Sequence, residues 1–406
     1  MSITGAVYIG LSGMNAYSDG LQIISNNVAN LNTNGYKAET VNFADIYNAG
    51  GGDLLGGDAG GDGEGVRVLP PGTDFSEGTL QQTGNALDLA VQGDGFLVLQ
   101  SGGQTYYTRT GSFTVGTNGD ITLEGSPAGT AYNLAILDSS NQPIAANVNG
   151  NSTSAPSATT TITLGDNLSS GSTTATVSNI TVYDSLGTSH TWTITATPST
   201  SSSTTPTGET SWNIAVTDET GATVGSGTID FNGSTPDPSN DKLTINSTPS
   251  DGATPLAVTL DFSGVTSFDA GTTSTLQTTN VDGAAAGTLS SVAVNSSGDV
   301  VLSYSNNTTK TLGAVALAYI QNPQALTNIG SGLYTNASSQ QVALEASGAS
   351  EVGSVVSDQL EGSNVNLTQE FGDLILIQRG YQASSEVVSI SNDMIQQLFG
   401  IRGQGG

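Results

Sequence analysis

The residue types that carry chemistry are scarce in this chain. It has one histidine, His190, and no cysteine. Thiolate metal sites, thiol nucleophiles and disulfides are excluded, and one imidazole cannot make a histidine metal cluster. A serine triad would have to use His190 as its base, yet no Gly-x-Ser-x-Gly elbow stands at a strand-to-helix turn. Gly93-Asp94-Gly95 is a turn between strands, since no helix follows it as a dinucleotide fingerprint requires. Carboxylate pairs such as Asp74 and Glu77 suit glycoside chemistry, but solvated turn acids are the default. Tyr106, Tyr107 and the two tryptophans could line a sugar site, and core packing is favoured for them. The Gly/Asp-rich run 49–65 has the composition of calcium-binding β-rolls with irregular phasing, so it reads as a flexible linker. His190, in a threonine-rich strand, reads as a structural or surface residue. No catalytic residue, cofactor or metal ligand is assigned.

What the sequence must position is therefore a pair of helices. Val7, Met14, Leu21 and Val28 recur at sevens, with Leu11, Ile24 and Leu31 filling the same stripe. Leu367, Leu374, Tyr381, Val388 and Ile395 repeat the spacing at the other end, supported by Phe371, Ile377 and Leu398. Heptads predict helices that bury one face against another helix, as in a coiled coil. Asn366, with Gln369 three residues on, has the form of a capping box opening the second helix. Lone heptad helices closing both ends of a β-rich chain suit a subunit whose helices meet neighbouring copies.

Composition narrows the function. Acidic residues number 35 against 7 basic, for a net charge of −28 over 406 residues. Such a chain is repelled by nucleic acid and by anionic membranes. No apolar run reaches the roughly 20 residues of a spanning helix. No basic region followed by an apolar stretch marks the start of the chain, so a cleaved secretory signal is not expected. An acidic, Cys-free, Ser/Thr-rich chain nonetheless suits the cell exterior.

Between the helices the pattern is β. Leu87, Leu89 and Val91 alternate, and Asn118-Gly119 is a two-residue hairpin signal. Trp192 with Ile194, Trp212 with Ile214 and Val216, Ile229 with Phe231, and Val258 with Leu260 and Phe262 define further strands, as in a sandwich or barrel. The fold class is mainly β with paired terminal α-helices, in a nested multi-domain subunit. Residues 1–31 and 364–400 form a helical inner domain. Residues 32–71 are a linker or hinge, 72–146 and 276–362 a β core domain, and 147–275 an inserted outer β domain.

Three stretches carry a resemblance. Gly10-Leu11-Ser12-Gly13-Met14-Asn15-Ala16, then Asn26-Asn27-Val28-Ala29-Asn30 and Asn32-Thr33-Asn34-Gly35-Tyr36-Lys37, resemble the N-terminal signature of the flagellar rod–hook family of axial proteins. Glu361-Gly362-Ser363-Asn364-Val365-Asn366-Leu367 and Gln378-Arg379-Gly380-Tyr381-Gln382-Ala383 resemble its C-terminal motif, with Asn366 where aspartate is common. Thr83 to Phe96 and Tyr107 to Phe113 resemble its shared core. The length and the central insertion then imply a subunit of the hook, the curved tube joining motor to filament. The resemblance implies a non-enzymatic, motility-related structural protein, exported by the flagellar type III apparatus. It also implies a homo-polymer that meets the distal rod, hook–filament junction proteins and hook cap. Polymerisation would use Val7, Leu11, Met14, Leu21, Ile24, Val28, Leu367, Phe371, Leu374, Tyr381, Val388 and Ile395. Asn26, Asn27, Asn30, Asn32, Thr33, Gly35, Tyr36 and Lys37 would form the hinge. The alternatives are a distal rod subunit, or an acidic extracellular carbohydrate binder or adhesin.

Overall fold

The computed structural model describes residues 3–47, 63–126, 129–199, 209–249, 251–337 and 340–403. Two compact units emerge: Met1–Asn149 with Val292–Val301 and Thr311–Gly406, and Gly150–Ser291 with Leu302–Lys310. The return from the insertion comes later than the sequence suggests. The strand Gln277–Val281 pairs antiparallel with Thr161–Asn167, Val281 opposite Ile162, so backbone hydrogen bonds hold it in the second unit.

The first unit carries two long helices, α1 (Ile3–Ala29) and α2 (Leu367–Gly403), and they pack on each other. Asn366 starts α2: its side-chain oxygen accepts from the amides of Thr368 (3.1 Å) and Gln369 (3.4 Å), two donors that a helix N-terminus otherwise leaves unpaired. The β part of this unit is a 12-stranded sheet. Within it Asp88–Gln92 pairs with Thr110–Val115, and Phe96–Ser101 with Gln104–Thr108. Alternation seen in the sequence is realised here: Leu89, Val91, Leu97, Leu99, Phe113 and Ile121 are fully buried. Asn118-Gly119 lies in the turn between Thr110–Val115 and Ile121–Leu123, with Gly119 at φ 78°. The apolar run Leu312–Ile320 divides between two strands. Thr309–Ala314 ends before Leu317–Ile320 begins, and Leu317 pairs with Leu97.

Parts of the expected linker 32–71 are ordered. Glu39–Thr40 pairs with Gly72–Thr73, and Phe43–Tyr47 with Gly63–Val68. The rest of its Gly/Asp run, 49–62, lies outside the described residues.

Two sheets form the core of the second unit. Ala175–Tyr183, Ser189–Pro198, Glu209–Thr217, Thr223–Asn232 and Thr235–Pro236 follow one another in the first. The second has the order Lys242–Ser247, Leu256–Thr266, Thr161–Asn167, Gln277–Val281, with a parallel pair at its centre. Trp192, Trp212 and Phe231 of one sheet share a single apolar cluster with Val258, Leu260 and Phe262 of the other. That is a sandwich core, and it absorbs both tryptophans.

The helix pair and its polar clasp

The closest approach of α1 and α2 runs through small residues, with few of the large heptad positions beside them. Along α1 the buried positions are Gly10, Gly13, Ala16, Gly20, Ile24 and Asn27, spaced by threes and fours on one face. A Cβ on Gly10 would stand 2.7 Å from Val388, one on Gly13 2.6 Å from Ser384, and one on Gly20 2.9 Å from Ile377. On α2, a Cβ on Gly380 would stand 2.4 Å from the Tyr17 ring. The helices approach so closely that only hydrogen fits at these places.

Of the twelve expected interface residues, Ile24 lies buried in this seam, and Val388 touches it. Val7, Met14, Val28, Leu374 and Ile395 are half-buried. Leu11, Leu21, Leu367, Phe371 and Tyr381 are exposed. The seam leaves much of the apolar surface free. Leu376 (67% exposed), Val387, Ile390 and Met394 are all exposed. They stand 11, 14 and 18 residues apart from Leu376, close to whole turns of a 3.6-residue helix, and so form one stripe.

Below the seam, the asparagine-rich signature folds into a buried polar clasp. Asn27 is 1% exposed and uses its whole side-chain amide. It donates to the Glu39 carbonyl (2.8 Å) and the Glu370 carboxylate (2.9 Å), and accepts from the Glu39 amide (2.9 Å) and the Tyr36 hydroxyl (3.0 Å). Burial, with Glu39 and Glu370 nearby, pushes the Tyr36 phenol up to about 12. Burial also raises the Glu370 carboxyl, against the hydrogen bond from Asn27 that lowers it. Asn26, Asn30 and Thr33 close the helix end: Asn30 donates to the Asn26 carbonyl (2.9 Å), and the Thr33 hydroxyl to Asn30 (3.1 Å). Asn32 is exposed.

Gly35 turns at φ 70°, where a Cβ would meet Thr110 at 2.8 Å, and its amide donates to the Glu361 carbonyl (2.7 Å). Lys37 follows, its side chain fully buried. Its ammonium donates to the Glu361 carboxylate (2.7 Å) and the Ser76 carbonyl (2.6 Å). Burial lowers the Lys37 pKa while Glu361 works to raise it. Glu361 also accepts from the Gly78 amide (2.7 Å), and Arg109 Nε stands 3.6 Å from its second oxygen. Asn364 adds the last tie. It accepts from the Ala38 amide (2.8 Å) and donates to the Asp74 carbonyl (2.8 Å). Thus Asn26 to Lys37 does not fray. It joins both chain ends to the β part of the same unit.

Glu361, Asn364, Glu370 and Arg109 are absent from the expected site. Their motifs are visible in the sequence, but their pairing across several hundred residues is not.

Four protein-family models cover the corresponding segments. The flagella basal body rod protein model matches residues 7–37, and the flagellar basal body rod C-terminal model 356–401. The hook-protein D1 domain model matches 90–166, and the flagellar basal body D2 domain model 147–284. The class is thus an axial protein of the bacterial flagellum. A flagellar hook protein of Salmonella typhimurium is 30% identical over 99% of this chain and 100% of its own length. That of Escherichia coli is 29% identical over 97% and 98%, and that of Treponema pallidum 28% over 98% and 99%. A Helicobacter pylori hook protein structure aligns with TM-score 0.44 and 11% identity over 71% of this chain and 100% of that one. The chain belongs to the flagellar hook protein family.

Proposed function

We propose that the chain is the structural subunit of a bacterial flagellar hook. It polymerises with its own copies into a flexible curved tube that transmits motor torque to the filament and encloses the export channel. The observation that carries this is the free apolar stripe Leu376, Val387, Ile390 and Met394 on a helix already packed against α1. A stripe of that length on one helix calls for a partner surface. Neighbouring copies supply it, with Leu11, Leu21, Phe371 and Tyr381 adding contact area around the pair.

In the same reading residues 1–31 and 364–400 line the tube as the polymerisation domain. The β part of the first unit and the second unit, Gly150–Ser291 with Leu302–Lys310, form outer layers, and 32–71 joins the helices to them as linker and hinge. The clasp at Asn27 and Lys37 is the firm root of that hinge, which leaves the movement to the chain beyond Ala38. The subunit leaves the cell through the flagellar type III apparatus without a cleaved signal and meets distal rod, junction and cap proteins. No enzymatic activity is invoked. The test is electron microscopy of a strain lacking the gene and of the same strain complemented with it. Loss of every structure beyond the rod, and its return on complementation, is expected. Complete hooks in the deletion strain would overturn the assignment.

A further inference from the structure

The second unit holds a cluster of ionisable side chains apart from the helix pair and its clasp. The strands Ala175–Tyr183 and Ser189–Pro198 pair with Val182 opposite His190, and Asp184 lies in the turn between them. Asp184 is fully buried, and its Oδ1 accepts from the amides of Leu186 (2.8 Å) and Thr188 (2.9 Å), so its Oδ2 is left facing His190 Nε2 at 3.2 Å. The Thr254 amide donates to Ser185 (3.0 Å), which brings the segment of Asp251 over the turn. Asp251 Oδ1 accepts from the Ala253 amide (3.1 Å), and its Oδ2 faces the same Nε2 at 4.0 Å. On the far side of the ring, Glu219 stands 3.7 Å from Nδ1.

No neutral imidazole satisfies these neighbours. A proton on Nδ1 leaves the Nε2 lone pair against two carboxylate oxygens, and a proton on Nε2 leaves the Nδ1 lone pair against Glu219. Two arrangements resolve the conflict: an imidazolium that donates from both nitrogens, or a metal cation at Nε2 with the ring proton on Nδ1 toward Glu219. One ligand atom from each of Asp184, His190 and Asp251 lies within 4.8 Å of the others. A tetrahedral zinc ion with bonds of about 2.1 Å sets its ligands about 3.4 Å apart, between the separations seen here. A carboxylate behind the other ring nitrogen is the arrangement that fixes a ligating histidine.

We propose that Asp184, His190 and Asp251 bind one divalent transition-metal ion of the zinc class, with Glu219 orienting the imidazole and water completing the coordination. The ion would staple the 184–190 hairpin to the loop at Asp251 in a chain that has no disulfide.

The single histidine makes the test clean. Zinc chloride is titrated into the untagged full-length chain, with calorimetry for stoichiometry and NMR of the lone imidazole for the site. One zinc per chain, with a shift of the His190 ring signals, is expected. His190→Ala and Asp251→Asn, both at solvent-reached positions, should lower affinity at least ~10-fold, and Glu219→Gln about 10-fold. Circular dichroism confirms that each variant is folded. No saturable binding by the wild-type chain overturns the proposal. So does zinc binding that leaves the imidazole signals unmoved or survives His190→Ala unchanged, because such zinc sits on the acidic surface at large.

Discussion

The side-chain amide of Asn27 on α1 donates to the carboxylate of Glu370 on α2 at 2.9 Å, across 343 positions of sequence. This bond and its three companions tie the helix pair to the segment that leads away from it. Asn27→Ala strands the Glu370 carboxylate, the Tyr36 hydroxyl and the Glu39 amide in a half-closed site. A cost of about 3 kcal/mol is expected, toward the upper end for leaving buried groups unpaired. Chemical denaturation followed by far-ultraviolet circular dichroism measures it. A variant within ~0.5 kcal/mol of wild type would show that the clasp contributes nothing.

Glu361 is the only acidic group that faces both Lys37 and Arg109 within salt-bridge range among the described residues. Glu361→Gln leaves two buried cations without their anion and should cost about 3–5 kcal/mol. Both tryptophans are buried in the second unit, so tryptophan fluorescence reports that unit separately. The loss is expected in the circular dichroism transition, with the fluorescence transition unmoved.

Gly13 faces Ser384 with no room for a methyl group. Gly13→Leu should separate the helices, lowering helical signal at 222 nm by tens of per cent. Asn15→Leu, on the exposed side of α1, should leave it unchanged.

The clasp also has an alkaline limit. The Tyr36 phenol titrates near 12 in the folded chain against an ordinary 10.0. Folding therefore favours the protonated phenol. Its contribution is complete below pH 10 and is lost as pH rises through about 12. Tyr36→Phe lacks that contribution, so the stability gap between wild type and variant should narrow between pH 10 and 12. Denaturant midpoints at a series of pH values test this.

Much of the β structure is legible because its signal is local. Leu89 and Val91 alternate with their neighbours, Gly119 marks its turn, and Trp192 and Trp212 fall in strands as core residues. The helix seam is not legible in the same way. Hydrophobic periodicity weights large side chains, so it selects Val7, Met14 and Leu21, while the contact face is written in Gly10, Gly13 and Gly20. The glycines show as a seam only when α2 is laid against them. The clasp is half legible: Asn26 to Lys37 reads as a motif, but Lys37 meets Glu361 at a separation of 324 residues. Asp184 stands six residues from His190 across a short turn, a cue present in the sequence. Asp251 carries no such cue, being brought in by the loop between two later strands.

The central claim is that the free apolar faces of the helix pair bind neighbouring copies. The most direct measurement is electron microscopy of purified chain under polymerising conditions, with wild type beside Leu21→Asp and Leu376→Asp. Leu21 and Leu376 are both exposed, so neither change disturbs the fold. Wild type should give curved tubes, and each variant should remain monomeric with the circular dichroism spectrum of the wild-type monomer. Normal tubes from both variants would contradict the claim.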